Sequence, residues 1–102
     1  MRGNHALIER ARSYFDRLGY AVNGRGPEFR AQRAWREVRV TVTDRPEPHV
    51  DGDGDLRCFV ASAEVADDLR HRLHEADPDC EWAVVAVTGD DVEVRRAPPT
   101  AR

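Results

Sequence analysis

Two stretches of the chain carry apolar residues at steps of three and four, which is the spacing of one face of an α-helix. The first spans residues 5–18, between Asn4, a residue type that caps helix N-termini, and Gly19, a residue type that follows helix C-termini. The second follows Ser62, another capping residue type, and ends at the Asp-Pro-Asp sequence of residues 77–79. Its predicted buried stripe consists of Val65, Ala66, Leu69, Leu73 and Ala76.

Other apolar residues alternate with polar ones or form short runs, as they do in β-strands. The pattern predicts a short extended piece at 20–22 and strands at 28–33, 36–43, 56–61, 81–88 and 92–95. Residues 81–88 are apolar on both faces, which is typical of a covered central strand, whereas 92–95 alternates with charges like an edge strand. Residues 44–55 hold two prolines, two glycines and five acids and predict a mobile surface loop.

Between residues 28 and 43 the apolar face changes parity. Phe29 and Ala31 occupy odd positions, whereas the valines of 38–42 occupy even positions. One continuous strand would turn its core face toward solvent halfway along. The pattern therefore predicts an antiparallel pair with a tight turn or bulge at 33–36.

The order of elements is helix, four strands, helix and two strands. It predicts one α+β domain over residues 1–96, followed by a disordered tail at 97–102. A crossover from the fourth strand through the second helix to the fifth strand would make those two strands parallel within an otherwise antiparallel sheet. We therefore expect two helices on a mixed, mainly antiparallel sheet of five to six strands, with the helices on one face or on both.

Composition narrows the range of chemistry. All sixteen basic residues among the 102 are arginine, which excludes Schiff-base formation and lysine-dependent phosphate loops. Residues 1–45 hold ten arginines and five acids, and residues 46–102 hold six and fourteen, so we expect the two parts to neutralise each other. The longest apolar run, 82–87, is far shorter than the roughly 20 residues of a membrane span. We expect a cytoplasmic protein without membrane association.

Candidate reactive or metal-binding residues are few. Cys58 and Cys80 lack C-x-x-C spacing and predict buried, reduced thiols. The acids of 51–55 lack the glycine and the glutamate that an EF-hand loop needs at its sixth and twelfth positions. His71 and His74 lie on the second helix, where an exposed, salt-bridged surface is the simpler interpretation. No cofactor is predicted.

Pro27-Glu28 followed by Glu37-Val38-Arg39, in this order of elements, loosely resembles the PD-(D/E)XK nucleases and their Holliday-junction resolvase branch. The resemblance implies that Glu28 and Glu37 bind a divalent metal and that Arg39 stands in the place of that family's lysine. Because a guanidinium is a poor proton acceptor, the resemblance implies a degenerate site.

Arginines cluster around the same hairpin, with one indole among them. Arginine contacts phosphates and an indole stacks on bases, and both residue types are also enriched in protein interfaces. The positions are Arg25, Arg30, Arg33, Trp35, Arg36 and Arg39.

We interpret the chain as a non-enzymatic binding or interaction module for nucleic acid or protein, with Arg30, Arg33, Trp35, Arg36 and Arg39 as the contact residues. Self-association through the last, edge-like strand is a further route to an interface. The alternative is a divalent-metal-dependent nuclease that uses Glu28 and Glu37. In overall style, rich in arginine and aspartate and free of lysine, the chain resembles small uncharacterised proteins of halophilic archaea.

Overall fold

The computed structural model describes residues 2–24, 26–34, 36–45, 56–77, 81–89 and 91–96. The elements in chain order are α1 (Arg2–Arg17), β1 (Ala21–Asn23), β2 (Glu28–Arg33), β3 (Arg36–Val42), β4 (Leu56–Ser62), α2 (Ala63–Ala76), β5 (Trp82–Thr88) and β6 (Asp91–Arg96). The α+β class and the predicted order of elements are confirmed, and every strand end lies within one residue of its predicted position.

The prediction for α1 is wrong at the N-terminus of the helix and confirmed at its C-terminus. The helix already begins at Arg2, so the prediction of Asn4 as its N-cap is wrong. Its C-terminus ends as the sequence indicates: Gly19 has φ of 92°, and its N–H donates to Asp16 O at 3.0 Å. The N–H of Tyr20 donates to Phe15 O, also at 3.0 Å. These two bonds form a Schellman motif, which needs a left-handed residue and therefore favours glycine.

The β2–β3 hairpin explains the change of parity. Arg33 pairs with Arg36, so the connection contains only two residues. Such a turn reverses the chain and returns Val38, Val40 and the other apolar side chains of β3 to the face that carries Ala31. The predicted antiparallel pair with a tight turn is confirmed.

The turn residue Ala34 adopts a left-handed conformation, with φ of 54°. A Cβ makes this region unfavourable, whereas glycine enters it freely. Ala34→Gly is therefore expected to raise the free energy of unfolding by about 1 kcal/mol, measured by urea denaturation. Ala21→Gly in β1 is the control, because Ala21 has no positive φ and glycine there should lower stability. A loss of stability in Ala34→Gly would contradict the turn geometry.

The six strands lie in the sheet in chain order, from β1 to β6. Antiparallel pairing joins β1 to β2, β2 to β3 and β5 to β6. Both β3–β4 and β4–β5 are parallel, so the expectation of a single parallel pair in a mainly antiparallel sheet is wrong. Residues 43–55 between β3 and β4 supply the dozen or so residues that a parallel connection requires.

The helices lie on opposite faces of this sheet. Phe15 of α1 belongs to a core with Phe29, Val40 and Val60, which we call the α1-side core. On the other face α2 contacts β4, β5 and β6. The α2-side core consists of Phe59, Ala61, Ala66, Leu69, Leu73, Trp82, Val84 and Ala86.

The stripe predicted for α2 is confirmed at Ala66, Leu69 and Leu73, which are buried, and Val65 packs against them. Ala76 is exposed, contrary to the prediction. It is the last residue of the helix, and Asp77 directly after it takes a left-handed conformation that turns the chain away. Ser62 is the N-cap, although its hydroxyl makes no capping hydrogen bond.

Several sequence predictions lie outside the described residues: the acidic loop at 46–55, Cys80 and the tail at 97–102. Neither helix in the described part of the chain is long and apolar enough to cross a membrane.

Candidate functional site

One face of the sheet carries α2, which covers strands β4 to β6. On the same face, β2 and β3 present polar side chains. Alternation along β2 and β3 buries every second residue in the α1-side core and turns the residues between them to the opposite face. The polar residues on this face are Glu28, Arg30 and Gln32 of β2 and Glu37, Arg39 and Thr41 of β3. This half-sheet is a flat surface of polar groups beside α2.

Three arginines lie next to one another across this surface. The strand register places Arg30 opposite Arg39, Arg39 beside Arg57, and Arg57 beside Trp82. Neighbouring strands are about 4.8 Å apart, so the guanidinium groups start from adjacent backbone positions. We call Arg30, Arg39 and Arg57 the arginine row. The row runs from the β2–β3 hairpin to Arg57, whose neighbour Trp82 lies beside the C-terminal end of α2.

Within the described part of the chain, the two hairpin members of the arginine row differ in their ion pairing. Arg30 forms an ion pair with Glu37 at 3.5 Å between Nη1 and Oε2, and both side chains are largely exposed. Arg39 is half-buried and has no carboxylate within ion-pair distance among the described residues. Like charges directly opposite one another destabilise a strand pair. Folding therefore holds positive charge together here, which is useful where an anion is bound.

In the described part of the chain, Arg57 is the one charged residue that is buried, with 4% of its surface exposed. Its backbone N–H donates to Glu81 O at 2.9 Å, which fixes the start of β4 against the residue that precedes β5. No role is predicted for Arg57 from the sequence. Arg57 lies two residues before Phe59 on the same strand, so the alternation of side chains places both on the face that carries α2.

The other arginines of the predicted contact set lie elsewhere. Arg33 and Arg36 belong to the α1 face, since they have the parity of Ala31 and Val38. The guanidinium of Arg33 lies 5.9 Å from the centre of the Tyr20 ring. Arg36 lines a small apolar cavity of about 120 Å³ beneath α1.

The predicted contact set is therefore divided between two faces of the sheet. Arg30 and Arg39 are brought together on one face, and Arg33 and Arg36 lie on the other. Trp35 and Arg25 lie outside the described residues.

Glu28 and Glu37 share a face but are not brought together. Glu28 lies opposite Thr41, four residues along β3 from Glu37, which corresponds to about 13 Å at the usual rise of a strand. Glu28 accepts a hydrogen bond from the Thr41 hydroxyl at 3.4 Å, and Glu37 is paired with Arg30. Arg30 and Arg39 lie between the two carboxylates, so a single ion cannot bridge them in this conformation.

The other predicted reactive or metal-binding residues lie in surroundings that favour a structural role. Burial raises the pKa of the Cys58 thiol to about 12, so the group is a poor nucleophile. His71 lies 3.4 Å from Glu75 one helical turn away, as the interpretation of a salt-bridged helix surface expects. Among the described residues no three His, Cys, Asp or Glu side chains form a group that could hold a metal ion.

Comparison with known proteins gives one match. A family described as one of unknown function, DUF7116, matches residues 8–96, which include every element described above except the first turns of α1. No curated protein and no solved structure matches the chain.

Proposed function

We propose that this chain, which belongs to the DUF7116 family, is a binding module that holds the phosphate backbone of single-stranded nucleic acid on its arginine row. The observation that carries the proposal is the alignment of Arg30, Arg39 and Arg57 on neighbouring strands of one sheet face. The sequence places Arg30 and Arg39 on one hairpin, but it does not place Arg57 beside them, because Arg57 lies beyond the long connection of residues 43–55.

The surface suits an extended, negatively charged chain. Arg30 is exposed and Arg39 is half-buried and unpaired within the described residues, so both can donate to phosphate oxygens. Buried Arg57 continues the row toward α2 and is not required to reach the ligand. Gln32 and Thr41 on the same face supply neutral donors for sugar or base atoms.

A flat sheet face favours single strands. An α-helix or a two-stranded ribbon projects far enough to enter the major groove of a duplex, whereas a flat surface meets unpaired nucleotides directly. Among the described residues, α2 contacts β4 to β6 and leaves the three strands β1 to β3, which is room for only a few nucleotides. Affinity for a short site of this kind should be modest and should depend strongly on salt.

The test is a double variant, Arg30→Gln with Arg39→Gln. Binding of a fluorescent single-stranded oligonucleotide of mixed sequence, measured by anisotropy, is expected to weaken about tenfold at low salt. The slope of log affinity against log salt should fall by about 1.4, because two phosphate contacts are lost at about 0.7 each.

The matched control is Arg33→Gln with Arg36→Gln, which removes the same charge from the same hairpin on the opposite face. The control should bind almost as the wild type does. Equal weakening of both double variants would show a non-specific charge effect and contradict the arginine row as the site. Unchanged affinity in the first variant, or no binding by the wild type, would favour a protein partner instead.

The nuclease alternative receives less support from the geometry. Two-metal nucleases hold their ions about 3.5–4 Å apart and need converging carboxylates, while Glu28 and Glu37 lie on either side of the arginine row. Cleavage of branched or duplex DNA with Mg²⁺ or Mn²⁺, lost in Glu28→Gln and in Glu37→Gln, would establish that alternative.

A further inference from the structure

A second basic site lies on the far side of α2, at its contact with the start of β5 and with β6. A cavity of about 310 Å³ is lined by Arg70, His71, His74, Trp82 and Arg95. Among the described residues that line it, two side chains are permanent cations, two are imidazoles and none is a carboxylate. The volume is at the lower end of the range for small-molecule sites. We call this space the α2–β6 cavity.

Arg95 is held in position by two carboxylates behind it. Its Nη1 lies 2.7 Å from Oε1 of Glu93, and its Nε lies 3.0 Å from Oδ1 of Asp67. The second contact is an ion pair without hydrogen-bond geometry, so the buried Nε–H makes no hydrogen bond among the described residues. Buried donors are almost always matched in folded proteins. The two carboxylates therefore orient Arg95 without matching its Nε–H.

Arg70 and His74 are the donors of the α2–β6 cavity that no carboxylate of the described residues engages. Arg70 is exposed, and neither it nor His74 has an ion pair among the described residues, whereas His71 is engaged by Glu75. Asp67 and Glu93 are occupied by Arg95. A ligand with several negatively charged oxygens can therefore accept from Arg70 and Arg95 at once, with an imidazole N–H as a third donor.

We infer that the α2–β6 cavity binds a phosphate monoester, either a free mononucleotide or the phosphorylated end of a nucleic-acid strand. A dianionic phosphate presents three terminal oxygens to donors that approach from α2 and from β6. A neighbouring cavity shares His74 and Trp82 and is lined also by Leu73 and Asp77, which gives room for the organic part of the ester and a carboxylate that accepts from a hydroxyl. This inference does not depend on the arginine row, which lies on the other side of Trp82.

Calorimetric titration with adenosine 5′-monophosphate tests the inference, with adenosine and inorganic phosphate as comparisons. We expect saturable binding of the monophosphate, weaker binding of inorganic phosphate and none of adenosine. Arg70→Gln and His74→Gln should each weaken binding, the arginine variant about ten- to a hundredfold. Arg95→Gln should do the same, and thermal unfolding of that variant will show whether the fold is retained.

The matched control is Arg72→Gln, which removes the same charge from the same helix two residues away, where Arg72 pairs with Asp68. It should leave the affinity unchanged. Equal weakening in Arg70→Gln and Arg72→Gln, equal binding of adenosine, or no saturable binding of any phosphate probe would overturn the inference.

Two oligonucleotides that differ only in a 5′-phosphate distinguish the two sources of the ligand. They are compared in the Arg30→Gln, Arg39→Gln background, so that loss of the proposed backbone contacts does not obscure the result. Tighter binding of the phosphorylated strand, abolished by Arg70→Gln, identifies strand ends. Binding of the mononucleotide without such a preference identifies free nucleotides.

Discussion

Replacing Phe59 by alanine is expected to lower the free energy of unfolding by about 3–5 kcal/mol, which is a large share of the 5–15 kcal/mol typical of a small domain. Phe59 is 2% exposed and is among the largest fully buried side chains of the protein. Three of its partners in the α2-side core are alanines, namely Ala61, Ala66 and Ala86. Because alanine side chains cannot extend into a void, the cavity left by the ring should remain largely open.

Urea denaturation of the purified variants measures this effect. Phe59→Leu is the graded control and should cost clearly less, because it retains most of the buried apolar volume. Val94→Ala is the exposed control, since half of the Val94 surface is already in water, and it should change stability by no more than about 0.5 kcal/mol. A loss below about 1 kcal/mol in Phe59→Ala would show that α2 does not pack on β4 as described.

Cys58 is expected to resist alkylation in the folded protein by at least about three orders of magnitude relative to the unfolded chain. Burial raises the pKa of its thiol from 9.0 to about 12, and only the thiolate reacts. A rise of three pKa units lowers the thiolate fraction at neutral pH about a thousandfold. Iodoacetamide labelling of a Cys80→Ser variant, with and without denaturant and read by intact mass, gives the ratio. Similar labelling rates in the two states would contradict the burial of Cys58.

The same raised pKa makes the stability of the protein depend on alkaline pH. Above pH 9 the unfolded chain releases the Cys58 proton while the folded chain retains it up to about pH 12. The unfolded state then binds fewer protons, so the free energy of unfolding falls as pH rises, by about 1 kcal/mol per pH unit within that window. Stability from this group is fully present below pH 9.

Cys58→Ala isolates this contribution. Burial also raises the pKa of Tyr14, which acts in the same direction, so the comparison must be between the wild type and the alanine variant. Because the chain has no lysine and arginine stays protonated, no ammonium side chain titrates in this window. Parallel curves of stability against pH for the two proteins would contradict the prediction.

Local patterns in the sequence predicted the local structure well. The change of parity between Phe29 and Val38 indicated the hairpin, and Gly19 indicated the end of α1. Both depend on neighbouring residues and on backbone preferences that one residue type satisfies best. The predicted start of α1 was wrong because a capping residue type is also tolerated inside a helix, where Asn4 lies.

The candidate site was only partly predictable, because it depends on the register between distant strands. Arg30 and Arg39 belong to one hairpin, and each is out of phase with the apolar residues of its own strand, which is visible in the sequence. Arg57 joins them only because β3 and β4 are parallel, and no local pattern fixes that pairing across residues 43–55. Arg33 and Arg36 are in phase with the buried residues of their own strands, so they lie on the other face of the sheet from Arg30 and Arg39.

The chain order of the sheet has a consequence for how the protein forms. Each strand from β2 onward adds to the edge left by the strand before it, and no strand has to insert between two that are already paired. A chain emerging from the ribosome can therefore extend the sheet in one direction, with each completed edge as the template for the next segment. The connection of residues 43–55 and the α2 crossover are the steps where a segment must loop around before it pairs, so loop closure should set the pace of assembly there.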